Sequence, residues 1–315
     1  MQKLSVISIV SFFLMLSLFQ PCYAADTPLH NAVNKYQVGT VRTLIRNGAN
    51  VNVVDGKGNT PLICAAQMGS IDMVQMLISA GAKVNTKNNK GYSAMDCAAE
   101  YTTEANLEII KMLERAGGRL SANAEPVLNG LKNAIYSDNV EFAKKLINKG
   151  ANVNAKYDKK TPFLFLAASK NNPEMVSILL DAGAKVNIGT ENIGSPLCAA
   201  IVGDIDNQDY SSIEFSDNSV EIAKLLIDYG ADVNLGTKGE NLTPLYWACV
   251  ERSCNPEMLV LLLQSGADIN RASIDNKSLF ELTKLSESNK ININKYSQIM
   301  RILKYPKMFT NKKKV

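Results

Sequence analysis

The chain has 315 residues, 46% of them apolar, which is material for about two domains or one elongated array and excludes wholesale disorder. A formal charge of +4 and a pI near 8.6 fall short of the pI above about 9 expected of a nucleic-acid-binding domain. The chain holds one histidine, so His-rich metal sites are excluded and any His-dependent catalysis would have to run through His30.

The first segment reads as an export signal. Met1–Lys3 carries one positive charge, Leu4–Phe19 is an apolar run diluted by Ser5, Ser8, Ser11 and Ser17, and Gln20–Ala24 follows. That is the charged, apolar, small-residue order of a secretory signal. Cleavage after Ala24 places Cys22 and Ala24 at the two small-residue positions, whereas cleavage after Ala25 would place bulky Tyr23 there. Two alternatives stand beside it. An uncleaved anchor would have to span with sixteen residues that include four serines, short of the ~20 apolar residues a span needs. A lipid attachment at Cys22 would need a better leader than Phe19-Gln20-Pro21. The expectation is a signal peptide over 1–24 and a mature chain that is periplasmic or secreted, with no membrane span after cleavage.

From Thr27 onward two phrases alternate. Thr27-Pro28-Leu29-His30, Thr60-Pro61-Leu62, Ser195-Pro196-Leu197 and Thr243-Pro244-Leu245 each read as a helix start, with a capping hydroxyl and Pro at the first helical position. Asn-Pro-Glu at 172–174 and 255–257 opens two further helices in the same way, with an acid in the first turn. Glycines at 48, 81, 117, 150, 183, 230 and 266 follow amphipathic stretches, where a left-handed residue caps the last carbonyls. Most of these glycines open one phrase: GANVN at 48–52 and 150–154, GAKVN at 81–85 and 183–187, GADVN at 230–234 and GADIN at 266–270. Before them, Val41/Leu44/Ile45, Val74/Leu77/Ile78, Val176/Leu179/Leu180 and Leu259/Leu262/Leu263 keep one register and predict the core face of a second helix.

The 33-residue spacing, the TPLH of 27–30 and the GA-x-VN phrases together resemble the ankyrin-repeat family over about 26–304. The resemblance implies an all-α solenoid of helix-turn-helix units with extended β-turn fingers. It also implies a concave surface of fingers and inner helices that grips a protein partner. The family carries no catalytic activity, so the expectation is no enzyme, no cofactor and no bound metal. In this family the TPLH histidine bonds neighbouring backbone, which gives His30 a structural role.

Breaks in the repeat carry information of their own. The fourth residue past the helix-start Thr or Ser is Cys64, Cys97 or Trp247 in internal units, and Phe165 or Leu166 across a one-residue gap. It is Asn31 in the first unit, as suits an end unit. Asn133 repeats that signature in the fourth unit, where Asn129-Gly130 replaces Thr-Pro, and Glu114 precedes Gly117 where other complete units have Ile or Leu. Two readings follow. One has two stacked arrays, 25–121 and 122–304, the second ending in a capping unit; the other has one degenerate continuous stack. A basic tail covers 305–315. Unit three gains three residues around Tyr101–Asn106, and unit six gains about fourteen within 203–219. This second insertion carries Asp204, Asp206, Asp209, Glu214 and Asp217 and no base. A solvated loop and a partner contact both fit it. Calcium fits poorly, because Asp209 and Phe215 stand where a calcium loop needs Gly and Glu.

Loss of Cys22 with the signal leaves five cysteines, so at least one is unpaired or pairs between chains. Cys64 and Cys97 lie one period apart and read as small buried hydrophobes, while Cys249 and Cys254 are close enough in sequence to pair. No phosphate loop, zinc spacing or nucleophile elbow appears, and Ser195 falls at a helix-capping position. Removing the signal and the tail lysines leaves residues 25–303 with 28 basic and 30 acidic side chains, a slightly acidic array that does not suit nucleic acid.

The residues free of repeat duties are the candidates for an as yet unidentified protein partner of a monomeric scaffold. Fingertips supply Asp55, Lys57, Lys87, Asn88, Lys90, Lys156, Tyr157, Lys159 and Lys160. Inner-helix ends supply Asn34, Lys35, Gln67, Met68, Glu100, Tyr101 and Tyr136. Scaffolding and occlusion of an exported enzyme, as an inhibitor or protective accessory, would use the same surface.

Overall fold

The computed structural model describes residues 27–158, 160–203, 218–238, 242–250, 255–271, 298, 301–306 and 308. The export segment, Lys159, most of the acidic insertion, Cys254 and most of the terminal capping unit lie outside these residues. The chain falls into two compact units, Met1–Ala99 with Thr103–Pro126, and Glu100–Thr102 with Val127–Val315.

In the first unit three helix pairs stack. They are α1 (Pro28–Asn34) with α2 (Val38–Arg46), α3 (Pro61–Gln67) with α4 (Ile71–Ser79), and α5 (Ala94–Ala98) with α6 (Glu104–Arg115). The short helices α1, α3 and α5 form one layer and α2, α4 and α6 the other. Thr27, Thr60 and Ser93 cap the short helices, their hydroxyls accepting from the amides of His30, Ile63 and Asp96. Each such cap is worth about 1 kcal/mol. The three residues gained in unit three are absorbed as an extra turn, so α6 runs to twelve residues. Its cap Thr103 donates to Asn106 Oδ1 at 2.6 Å, and Asn106 Nδ2 donates to the Ala98 carbonyl at 3.0 Å.

The helix α7 covers Glu125–Tyr136. It runs through Asn129-Gly130, so that dipeptide does not start a helix as its alignment with Thr-Pro suggests; Glu125 and Pro126 open it instead.

In the second unit the pairs continue as α8 (Val140–Asn148), α9 (Phe163–Ser169), α10 (Pro173–Asp181), α11 (Pro196–Val202), α12 (Asn218–Asp228), α13 (Pro244–Val250) and α14 (Pro256–Gln264). The layer of α9, α11 and α13 packs beside the layer of α8, α10, α12 and α14. α9 begins one residue late because Thr161 turns its hydroxyl to Asp158 Oδ2 at 2.9 Å and leaves the capping position to Pro162. Both Phe165 and Leu166 are then fully buried.

The apolar register holds with one qualification. The positions seven and four residues before the capping glycine are buried at Val74/Leu77, Val176/Leu179 and Leu259/Leu262. The position three before is buried at Leu180 and Leu263 but only half-buried at Ile45 and Ile78, and Leu44 is half-buried too. Near the end of the chain Leu303 is buried while Lys304 is exposed. All seven capping glycines have positive φ, between 80° and 92°.

A second left-handed position follows four of the inner helices, α1, α3, α7 and α9. Gly69 fills it with φ 66°, but Tyr36 (57°), Asp138 (56°) and Asn171 (60°) fill it elsewhere. A bulky side chain there is strained.

The fingers are joined by a ladder that the repeated Asn of GA-x-VN supplies. Asn52 Nδ2 donates to the Gly81 carbonyl at 3.2 Å, and its Oδ1 accepts from the Lys83 amide at 2.7 Å. Asn85 does the same with Gly117 and Arg119, Asn154 with Gly183 and Lys185, Asn187 with Gly230 and Asp232, and Asn234 with Gly266 and Asp268. Ser121 stands where the next Asn would be, and instead its amide and hydroxyl turn back to buried Asp96 at 2.6 and 2.9 Å.

Candidate functional site

Repeat architecture decides which polar residues are available to a partner. His30 is not. It is fully buried, and its Nε2 lies 2.9 Å from the Asn59 carbonyl. Only a donor can meet a carbonyl, so Nε2 carries the proton and Nδ1 accepts from Thr27 Oγ1 at 2.9 Å. Ser195 is likewise buried at a helix start, accepting from the Cys198 amide at 3.4 Å. Burial pushes the Cys198 thiol up to about 11, against catalytic use.

Two fingertip candidates prove to be turn-formers. Asp55 is 8% exposed and its carboxylate accepts from the amides of Lys57 and Asn59 at 2.8 and 2.7 Å and from Asn59 Nδ2 at 3.0 Å. Burial raises its pKa, but these hydrogen bonds outweigh burial and hold it below the ordinary value. Asn88 accepts from the amides of Lys90 and Tyr92 at 3.0 Å each and donates to Asn59 Oδ1 at 2.9 Å. The polar atoms of both are held in and between the turns, with Asp55 buried and Asn88 half-buried.

The other first-unit candidates stay at the surface. Asn34, Lys35, Lys57, Gln67, Lys87, Lys90 and Met68 are exposed. Lys87 Nζ donates to Ser121 Oγ at 3.2 Å, and Gln67 Nε2 to Cys97 Sγ at 3.6 Å. Exposed Tyr36, at the end of α1, belongs with them; its inner-helix neighbours Asn34 and Lys35 are legible in sequence, but a tyrosine in the turn position gives no local signal.

In the second unit Tyr101 is exposed, while Glu100 is half-buried, its carbonyl accepting from Asn133 Nδ2 at 3.0 Å. Tyr136 is exposed with the Lys170 ammonium 4.7 Å from its ring centroid. Tyr157 is half-buried against Phe163, ring centroids 6.2 Å apart, with Lys132 Nζ 6.0 Å from its own centroid.

Lys156 and Lys160 are brought together in a groove of about 390 Å³ between successive fingers. The groove is completed by Lys238, Glu191 and Asn192, with Gly189, Gly194 and Gly236 in its lining. Lys238 pairs with Glu191 at 3.6 Å, both more than 80% exposed. Asp158, beside the lysines, spends its carboxylate on the Lys160 and Thr161 amides at 2.9 and 2.6 Å and on the Thr161 hydroxyl. Among the described residues there is no cluster of three His, Cys, Asp or Glu that could hold a metal, and no helix is long and apolar enough to cross a membrane.

The profile of the family described as ankyrin repeats (3 copies) matches residues 8–88, 29–124, 104–190, 131–207 and 212–273. Among solved structures, the ankyrin repeat domain of Bcl-3, a member of the IkappaB protein family, is similar at 24% identity and TM-score 0.52, over 75% of this chain and 98% of that one. An ankyrin repeat domain from Acinetobacter baumannii AYE is 26% identical at TM-score 0.49, over 65% of this chain and 98% of that one. The human ASB11 ankyrin repeat domain is 20% identical at TM-score 0.39, over 87% and 97%. No curated protein matches by sequence. The chain belongs to the ankyrin-repeat family. Its fold is the mostly helical repeat solenoid of that family, a class of interaction modules that are typically not enzymes.

Proposed function

We propose that this ankyrin-repeat chain is an exported, non-enzymatic scaffold that binds one protein partner through its fingers and inner-helix ends. One observation carries the binding surface. The polar work of the fold is done by buried or turn-bound groups such as His30, Asp55, Asp96 and the finger asparagines, which leaves Lys57, Lys90, Tyr101, Lys156 and Lys160 exposed. Exposed aromatic and charged side chains of this kind are what recognition surfaces use. Export rests on the charged, apolar, small-residue order of residues 1–24. The division into arrays at 25–121 and 122–304 rests on the polar residues Glu114, Ser121 and Asn133 at positions where other units join.

The test is crosslinking and capture from the exported fraction of cells that produce the chain, with partners identified by mass. A single saturable partner, and an exported chain whose first residue is Ala25, is the expected result. A chain that retains Met1 in the cytoplasm removes export; absence of any saturable partner removes the scaffold. If the captured partner is an enzyme, its activity with and without the chain tells scaffolding from occlusion.

A further inference from the structure

Elsewhere on the second unit, two exposed lysines pair with the neighbouring repeat. Lys144 pairs with Glu174 at 2.7 Å and Lys224 with Glu257 at 3.4 Å, both between successive outer helices. The finger groove is different. Among the described residues, neither Lys156 nor Lys160 has a carboxylate within ion-pair distance, and the adjacent Asp158 carboxylate is already held by its own turn. Among the described residues Lys238 has only the exposed Glu191, and a pair that open to water is worth little and exchanges readily for another carboxylate. The lining between these lysines includes Gly189 and Gly194, where backbone packs on backbone; a Cβ added at Gly189 would fall 1.5 Å from the Gly194 carbonyl oxygen. The missing side chains of both glycines make room for neighbouring atoms of this chain, Gly194 at Gly189 and Gly236 at Gly194.

This local excess of positive charge sits in an array that is net acidic, with 28 basic against 30 acidic residues over 25–303. We propose that the groove takes an acidic peptide segment of the protein partner, with its carboxylates set against Lys156, Lys160 and Lys238. The proposal rests on the reading of the chain as a protein-binding scaffold and names the chemistry that scaffold selects. A nucleic acid fits less well. Its affinity comes from neutralising many phosphates along a continuous basic track. Among the described residues the groove holds three lysines, in an array with a net charge of −2 over 25–303, which makes no continuous basic track. A short acidic segment needs no such track, and opposite charges also speed encounter.

The test uses the full chain and a fluorescein-labelled ten-residue oligoglutamate, read by anisotropy across a salt series. A Gly-Ser peptide and a single-stranded oligonucleotide are the comparison probes. Oligoglutamate should bind, with affinity falling as salt rises, and K156E/K160E should weaken it by at least ~10-fold. K224E, a single charge reversal on an outer helix, should leave binding unchanged. Thermal melting checks that the variants stay folded, and K156Q/K160Q serves if the reversal does not. Three results would overturn the proposal: equal losses in K224E and K156E/K160E, no oligoglutamate binding at low salt, or tighter binding of the oligonucleotide through the same lysines. The two readings separate in the capture experiment. A partner captured equally well by K156E/K160E removes the acidic-segment proposal and leaves the scaffold standing, whereas no partner for the wild-type chain removes the scaffold itself.

Discussion

Asp55 and Asn88 sit 33 residues apart at the same place in successive fingers, and each closes its turn by accepting from the amides two and four residues ahead. One carries a charge and the other does not. Asn59 links them, donating to Asp55 and accepting from Asn88. The turn therefore needs an acceptor at this position and no charge.

Asp55→Asn keeps the acceptor for the two amides but sets its own Nδ2 against Asn59 Nδ2, so it should cost less than Asp55→Ala, which should cost about 1–3 kcal/mol for the amides left unpaired. The lowered pKa of Asp55 sets the sign of the pH effect. A carboxyl with a folded pKa below its unfolded value stabilises above the unfolded value and loses that contribution as pH falls through the folded one. Urea melts of the wild type from pH 6 down to pH 2 should steepen below about pH 4, and Asp55→Asn should remove part of that slope. Parallel curves for the two proteins would show that the charge plays no part.

Asn154 holds the next finger with both ends of its amide, at 3.0 and 2.8 Å. Asn154→Ala should cost about 1–2 kcal/mol by chemical denaturation, because its partners can recover water in an exposed setting. Asn154→Asp keeps the acceptor for Lys185 but turns a carboxylate toward the Gly183 carbonyl, so it should cost at least as much. A neutral Asn154→Asp would mean that the Gly183 bond contributes nothing.

Tyr36 holds φ at 57° and is 53% exposed, so its strain is not offset by burial. Tyr36→Gly should stabilise the chain by about 0.5–1 kcal/mol, the left-handed penalty less the extra backbone entropy of glycine. A fall in melting temperature would show that the ring makes contacts that outweigh the strain. If Tyr36 is part of the recognition surface, the same variant should capture less partner while melting higher.

Cys198 is fully buried and its thiol is pushed up to about 11 from 9.0. Its thiolate fraction at pH 8 is then lower by about 100-fold, in addition to the steric block. Iodoacetamide should leave Cys198 unmodified in the native chain and modify it in denaturant, as read by peptide mass. Rapid native modification would mean that α11 opens locally.

The helices were readable because their signals are local. Thr-Pro starts, capping glycines and the apolar register each act within a turn or two of the residue concerned. Where the signals mislead, a residue within a turn or so competes for the capping group or opens the helix earlier. Thr161-Pro162 looks like the other starts, yet Asp158 takes the threonine hydroxyl and delays the helix. Asn129-Gly130 aligns with a start but lies inside a helix opened by Glu125 and Pro126. The finger asparagines are conspicuous in sequence, but their partners lie about one repeat away, so repetition alone could not assign them a task. The groove was half visible. Lys156 and Lys160 are neighbours in sequence, while Lys238 and Glu191 reach the same place only through the stacking of later fingers.

Each asparagine rung takes hold of main-chain groups only, a carbonyl on the capping glycine and an amide two residues later. The residue offering that amide is Lys83, Arg119, Lys185, Asp232 or Asp268, so either sign of charge serves equally well. A joint of this kind is blind to the side chains of the unit it receives. A repeat can therefore be duplicated, lost or exchanged, and its exposed residues rewritten for a new partner, without any compensating change in its neighbour's asparagine.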